Sequence, residues 1–517
     1  MNFRAVSLAF VMCSLPWTTI HAQEYPHNPP FTVIPCNMNC LDKGHVRPVS
    51  PNTDPVADQG KHRVIVLTDM GADNDDSQSI VRLLLYSNDI DIEGLIATTS
   101  TFMMDRTNVW LIEKPVDAYA KVRPNLLKHD SNYPTAAHLR SLIKAGSPLY
   151  GMGGVGPGKD SEGSELIISA LKRNDPRPLW ITVWGGPNVL AQALWTLRTT
   201  ESAKTLNALV AKLRVYAIGD QDDSGFWMRR EFPSLFWITP VISFGGATPI
   251  EDSHPEMVSS DWVAKNIQQD HGPMGEVYPD TIYGNEGDTP SFLGLIPNGL
   301  NDPSHPSYGG WGGRFVLTNP GTLPTFPSMP NARSQNIVKP IPETRPLWVS
   351  AEDQYRGPMM HANFSALLRG AKKRADLPKD TSVPLWRWRE DVQNDFAARI
   401  EWTTKPYNGA NHPPVAVLAR NTPQEFTVHS GEEFHLNATG SYDPDHDSLS
   451  FYWFQYEEAG DFHELISFAP FSQGLADQPV TAPKVDSPKT IHFILRVTDK
   501  GTPPISRYRR VIVHVVP

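Results

Sequence analysis

Apolar and polar positions alternate in blocks from Arg63 onward, and the blocks predict an α/β domain. Arg63 to Thr68 (RVIVLT) is a short run rich in β-branched residues, as a strand buried on both faces requires. Ile80, Val81, Leu83, Leu84 and Leu85 then follow in a helix-like pattern. Asp91 to Thr98 predicts a second strand, and Asn108 to Leu127 and Ala136 to Ala145 predict helices. Further on come a helix over Ser161 to Arg173, a strand over Leu179 to Trp184 and a helix over Pro187 to Leu197. Ser202 to Leu213 predicts a helix, and Arg214 to Ile218 and Leu235 to Thr239 predict strands. This βαβα rhythm implies a mainly parallel sheet with helices on both faces.

Residues 280 to 345 are dense in Gly and Pro and contain the aromatic run Tyr308-Gly309-Gly310-Trp311. Loops of that length in a compact domain are more often functional than idle. Pro384 to Trp402 resumes a helix whose stripe of Val392, Phe396 and Ile400 suits packing on the α/β core. After a linker at 406–414, short alternating runs bounded by turn residues predict a small all-β, immunoglobulin-like sandwich over 415–517. The α/β domain is expected to span 61–405, after an irregular lead-in at 23–60. Residues 1–22 have the form of an export signal: Arg4, an apolar core from Val6 to Trp17, and Ile20-His21-Ala22 before Gln23. A secreted or periplasmic protein is therefore expected. Removal of the signal leaves Cys36 and Cys40, a C-x3-C pair that suits a small disulfide loop better than zinc.

Charge narrows the partners. A formal net charge of -10 over 517 residues argues against nucleic acid or an anionic membrane surface as the main partner. No stretch after the signal is apolar for long enough to insert into a membrane. The 48 prolines and 14 tryptophans suit a loop-rich extracellular protein that handles carbohydrate.

The candidate chemistry lies where the first strand stops. Asp69, Asp73, Asp75 and Asp76 place four carboxylates within eight positions, at the strand edge where open α/β sheets bind ligands. Such carboxylates repel one another unless a cation or protons neutralise them. Capping of the following helix accounts for one or two of them, not four. Gly153-Gly154-Val155-Gly156-Pro157-Gly158-Lys159-Asp160 nearly spells a phosphate-binding loop. It has Asp where the magnesium-ligating hydroxyl belongs, so it reads as a turn.

Thr68-Asp69-Met70-Gly71 with Asp75-Asp76 resembles the T-D-P-G-x-D-D signature of nucleoside hydrolases, with Met for Pro and two extra residues. With Ser79 to Asn88 it closely resembles the DUF1593 family, secreted proteins with a nucleoside-hydrolase-like domain, a carboxyl-terminal β-domain and a cellulose-binding label. The resemblance implies one Ca²⁺ held by Asp69, Asp76, the backbone carbonyl of Trp184 and Asp288, the last two in segments that match the same site. Asp69 would also serve as catalytic base. Asp75 would accept a sugar hydroxyl, Asp73, in the insertion, would take either that role or the ligand role given to Asp76, and Asn188 would lie at the adjacent helix start. Taken alone, Asp288 before Thr289-Pro290 is an ordinary helix cap.

The ribose-gripping segment of nucleoside hydrolases has lost both asparagines here, replaced by Gly225 and Pro233, while Glu231 is kept and Asp222 and Asp223 are added. A carbohydrate or other glycoside is therefore the expected partner, with Asp222, Asp223 and Glu231 as candidate substrate contacts and leaving-group acids. Trp227, Tyr308 and Trp311 are available either for sugar stacking or for packing. In the sandwich, Asp443, Asp445 and Asp447 read as turn carboxylates or as a calcium loop. The expected function is a secreted, calcium-dependent hydrolase of an N- or O-glycosyl bond in which a water held on the ion attacks. The alternative is a non-catalytic cellulose-binding protein on the same scaffold.

Overall fold

The computed structural model describes residues 60–240, 254–281, 285–321, 342–354, 379–466, 468 and 474–517. The expected export signal, the expected lead-in up to residue 59 and the Cys36–Cys40 pair lie outside them. Met1–Pro48 and Val49–Pro517 are separate units, and the second carries everything below.

Its main sheet is built from β1 (His62–Thr68), β2 (Ile90–Ala97), β3 (Ile143–Ala145), β4 (Leu179–Val183), β5 (Leu213–Ala217) and β6 (Phe236–Thr239), continued by β7 (Phe315–Thr318) and β8 (Leu347–Ser350). The order is β3-β2-β1-β4-β5-β6-β8-β7, parallel except for the edge strand β7. Helices α1 (Asp75–Leu85), α2 (Val109–His129), α3 (Ala136–Ser141), α4 (Glu162–Lys172), α5 (Asn188–Thr200), α6 (Ala203–Lys212) and α7 (Ser224–Glu231) connect the strands. Alternate residues of β1 enter different cores. Val64 and Val66 pack with α1, α2 and the late helix Arg389–Glu401, while Ile65 and Leu67 pack with α4, α5 and α6. Successive strand side chains point to opposite faces, so an unbroken apolar run is what a doubly covered strand needs.

Two expectations are corrected. Ala136 to Ala145 is a short helix followed by the edge strand β3, because Leu95 to Ala97 of β2 offer Ile143 to Ala145 a free ladder. The Gly- and Pro-rich stretch contributes β7, which pairs with β8.

The carboxyl-terminal region forms β9 (Glu425–His429), β10 (Glu433–Asn437), β11 (Ser450–Gln455), β12 (Asp477–Thr481), β13 (Lys489–Thr498) and β14 (Ser506–Val516). They make a four-stranded sheet, β9-β14-β13-β11, and a pair, β10-β12, around a core that includes the fully buried Trp453. The late helix ties this sandwich to the α/β body. Asp391 accepts from Ser506 (2.8 Å), Tyr508 and Arg496, and Asp395 accepts from Arg507 (2.6 Å), Arg399 (3.0 Å) and Tyr86 (2.6 Å).

Burial alone would raise Asp395, but the charges of Arg507 and Arg399 outweigh it and hold it at about 2. A depressed folded pKa stabilises above the ordinary carboxylate value, and the contribution is lost as pH falls through the folded one. The difference in thermal midpoint between wild type and Asp395→Asn is therefore expected to shrink from about pH 5 to about pH 2.

Candidate functional site

The order β3-β2-β1-β4-β5-β6 reverses direction between β1 and β4, and the crevice beyond the carboxyl ends of such strands is where α/β sheets bind ligands. Asp69 leaves β1 there, and Trp184-Gly185-Gly186 leaves β4 beside it. Thr68 Oγ1 donates to Asp76, Met70 N donates to Thr68 Oγ1 (3.2 Å), and Gly71 turns the chain at φ 101° into the acidic loop. Asn108 Nδ2 fastens that loop through the Met70 carbonyl (3.0 Å). Asp75 and Asp76 occupy the first turn of α1, where the helix dipole favours negative charge.

The carboxylates of Asp73, Asp75 and Asp76 offer oxygens within 4.8 Å of one another. Asp69 lies within hydrogen-bonding reach of Ser100 and Asp76, and burial pushes it up to about 7, with the charge of Asp73 adding to the rise. Burial also raises Asp75 and Asp76 well above the carboxylate range, followed by repulsion from their acidic neighbours.

Asp288 arrives from far along the chain. Burial raises it strongly, and the charges of Asp75, Asp76, Asp73 and Asp69 raise it further, although the oxygens gathered within 4.8 Å of one another are those of Asp73, Asp75 and Asp76. Its position is fixed from α1: Arg82 clamps Glu286 through two bonds (2.5 and 3.0 Å), Glu286 N donates to Gln78 Oε1 (2.8 Å), and Thr289 Oγ1 donates to Ser79 Oγ (3.0 Å). Trp184 Nε1 donates to Ser291 Oγ (2.8 Å), which joins the same segment to the end of β4. Asp288 Oδ2 is buried without a hydrogen-bond partner, and the helix Pro290–Leu293 has no side-chain cap. The cap reading of Asp288 therefore fails. Asp69, Asp76 and Asp288 are buried and Asp73 and Asp75 half-buried, and with the orphaned oxygen of Asp288 they form a hard-oxygen set that suits a divalent ion; Arg82 is committed to Glu286 rather than to them.

Other expected residues are placed differently. The Trp184 carbonyl accepts the Gln221 amide, and Gln221 Oε1 is itself buried without a partner. Gln221 escaped sequence reasoning because a lone Gln in an acidic run carries no signal. Asn188 opens α5 fully buried, with Nδ2 bonded to Leu149 O (2.8 Å) and Thr99 Oγ1 (3.2 Å) and Oδ1 unpartnered. Asp222 lies across Gly186, its Oδ1 bonded to Ser224 and its buried Oδ2 unpartnered; burial and the Asp223 charge push it up to about 7. Asp223 is half-buried and accepts from Met152 N (2.7 Å).

Glu231 is a correction. It is exposed at the end of α7 and pairs with Arg198 (3.0 Å) and Arg230 (3.2 Å). Arg198 stands ten residues beyond Asn188 on α5, about 15 Å along the helix axis. The three aromatic candidates pack rather than line an open face. Trp311 is fully buried against Tyr508, Trp227 packs on Phe232, and Tyr308 stacks on His305 at 4.5 Å.

The two glycines after Trp184 are steric requirements. A Cβ on Gly185 would stand 2.8 Å from Asp69, and one on Gly186 would stand 2.4 Å from Asp222 Oδ2 and 2.6 Å from the Thr99 carbonyl. Gly186→Ala must displace backbone, so it is expected to lower any rate the site supports by about 10²-fold, measured beside the wild type.

Family comparison fits this geometry. The profile described as cellulose-binding Sde182, nucleoside hydrolase-like domain, matches residues 63–315, and that of the cellulose-binding protein Sde0182 C-terminal domain matches 433–515. A solved nucleoside hydrolase-related protein of Saccharophagus degradans, associated with carbohydrate metabolism, is 36% identical over 88% of this chain and all of its own, with a TM-score of 0.73. The chain belongs to the Sde182 family.

The resemblance drawn from the aspartate motif is thereby borne out, as is the fold class. Type III effector XopQ, solved with adenosine diphosphate ribose, is 10% identical over 56% of this chain and 88% of its own, with a TM-score of 0.30, too remote to inform the Sde182 site. The curated proteins contain no match. Among the described residues no helix is long and apolar enough to cross a membrane.

Proposed function

We propose that this chain is an exported, calcium-dependent hydrolase that cleaves a glycosidic bond in a carbohydrate. The reading is supported by the gathering of Asp73, Asp75 and Asp76 within 4.8 Å of one another after β1, with Asp69 and Asp288 in reach of their charges and Asp288 Oδ2 left unpartnered. Asp69, Asp76 and Asp288 would hold the ion, with the Trp184 carbonyl or Gln221 Oε1 adding an uncharged oxygen. Once bound, calcium would neutralise the cluster and make a nearby water easier to deprotonate.

The chain's own groups then divide the work. Asp69 takes the proton from water as its oxygen attacks the anomeric carbon, through an oxocarbenium-like transition state. Asp73 and Asp75 accept hydrogen bonds from sugar hydroxyls. Asp222, whose buried carboxyl is pushed up to about 7, would protonate the departing oxygen. Gly225 and Pro233 remove the amide contacts expected for ribose, which favours a carbohydrate over a nucleoside.

A second reading, binding without turnover, is favoured by the cellulose-binding description of the family. Oligosaccharide and nucleoside substrates incubated with the full chain, with calcium and with EDTA, separate the two. Product release that stops on chelation supports the hydrolase. Retention on cellulose with no turnover of any substrate, in either condition, overturns it in favour of the binder.

A further inference from the structure

A second set of unpartnered oxygens lies where the α/β body passes into the sandwich. The expected linker at 406–414 is packed there: Asn411 and His412 are buried, and the Asn411 carbonyl accepts from Trp402 Nε1 (2.8 Å). Asn411 Nδ2 donates to Asp499 Oδ1 (3.0 Å) and to the Pro503 carbonyl (2.7 Å), which leaves its Oδ1 buried without a partner. Asp499 Oδ1 also accepts from Gly501 N (2.9 Å) and Ile505 N (3.1 Å), while its Oδ2 is buried and unpartnered. Asp443 repeats the arrangement. Its Oδ1 closes a turn by accepting from Asp445 N (2.8 Å) and Asp447 N (3.1 Å), and its Oδ2 is buried without a bond.

Backbone pairing draws these residues together. Val415 N donates to Tyr442 O (2.8 Å) and Tyr442 N to Val415 O (3.2 Å), which lays the chain after Asn411 along the Asp443 turn. His412 N donates to Asp445 Oδ2 (2.7 Å), so Asp445 is already occupied. Asn411 thus stands between the Asp443 turn and the Asp499 turn. The three side chains are 5%, 6% and 0% exposed for Asn411, Asp443 and Asp499, deep enough that an unbonded oxygen is costly.

We propose that Asn411 Oδ1, Asp443 Oδ2 and Asp499 Oδ2 hold a second divalent cation, calcium by its chemistry, independent of the cluster around Asp69. All three donors are hard oxygens, one from an amide and two from carboxylates. Backbone carbonyls and water complete the six to eight ligands that calcium takes. Burial pushes Asp499 up to about 6 and Asp443 adds to the rise, although three donors to Asp499 oppose it. A cation removes that conflict and pins the segment entering the sandwich to two of its turns.

The test uses the full chain carrying Asp76→Asn and Asp288→Asn, which disables the first cluster, titrated with terbium(III) as a calcium surrogate. Trp402, bonded to Asn411, and Tyr442, next to Asp443, serve as luminescence donors. The expected result is one saturable terbium site, displaced by calcium and lost when Asp443→Asn or Asp499→Asn is added, with near-ultraviolet circular dichroism unchanged. Asp443→Asn keeps the turn-closing oxygen, so it decides the matter should Asp499→Asn misfold. Absence of a saturable site in the Asp76→Asn/Asp288→Asn chain overturns the proposal, as does its retention in Asp443→Asn.

Discussion

Asp69→Asn is expected to lower glycoside hydrolysis by at least about 10³-fold while leaving the fold and much of the cation affinity in place. An amide keeps an oxygen where the carboxylate had one, but it cannot accept the proton of the attacking water, and a positioned base contributes roughly 10²–10⁴-fold. Loss of a negative charge from the cluster lowers the transition-state stabilisation further. Asp69 is buried within hydrogen-bonding reach of Ser100 and Asp76, so the substituted side chain has little room to reorient. Steady-state kinetics at saturating calcium provide the measurement, with calcium titration alongside. A variant that turns over within about tenfold of wild type removes Asp69 from the role of base.

Glu286→Ala is expected to cost about 3–5 kcal/mol of stability, because it leaves the Arg82 guanidinium without its countercharge in the interior. Both side chains are fully buried, and Tyr278 also donates to Glu286 (2.6 Å). Glu286 further adopts a left-handed backbone at φ 51°, an uncommon conformation for a residue with a β-carbon. Arg82 would keep its bonds to Gln393 (2.5 Å) and the Val392 carbonyl (3.2 Å), which are neutral. Since Glu286 anchors the segment that presents Asp288, cation affinity should fall with stability. Urea unfolding checks the first effect and calcium titration the second. The double variant Arg82→Met/Glu286→Leu should recover most of the stability but not the affinity, since apolar replacement of a buried pair is often near neutral. A Glu286→Ala midpoint indistinguishable from wild type would show that the pair carries no such load.

Much of this was legible in local pattern. β1 and the first turn of α1 are contiguous in the chain, so a run of apolar residues ending in four aspartates exposes both the buried strand and its acidic rim. Contacts between distant segments were not legible. Glu286 meets Arg82 across 204 residues and Trp311 meets Tyr508 across 197, and no spacing rule links them. Asp288 before Thr-Pro has the local form of a cap, and only its buried, unpartnered Oδ2 and the uncapped helix start separate the readings. Glu231 failed for the opposite reason: a motif position was kept, but α7 turns its end toward Arg198. The aromatic loop misled because tryptophan and tyrosine serve a sugar face and a protein core equally well.

The late helix Arg389–Glu401 has a practical consequence. On one side it receives Arg82, which secures the segment bearing Asp288; on the other, Asp391 and Asp395 receive Arg496, Arg507 and Tyr508 of the sandwich. A chain cut after the α/β portion would strip Asp391 of Arg496, Ser506 and Tyr508 and would leave Asp395 with Arg399 and Tyr86 but without Arg507, on the same rod that steadies the acidic cluster. The sandwich is thus no interchangeable appendage: calorimetry of Val49–Pro517 should trace one endotherm for both halves, and a truncated version should lose cation affinity along with its missing neighbour.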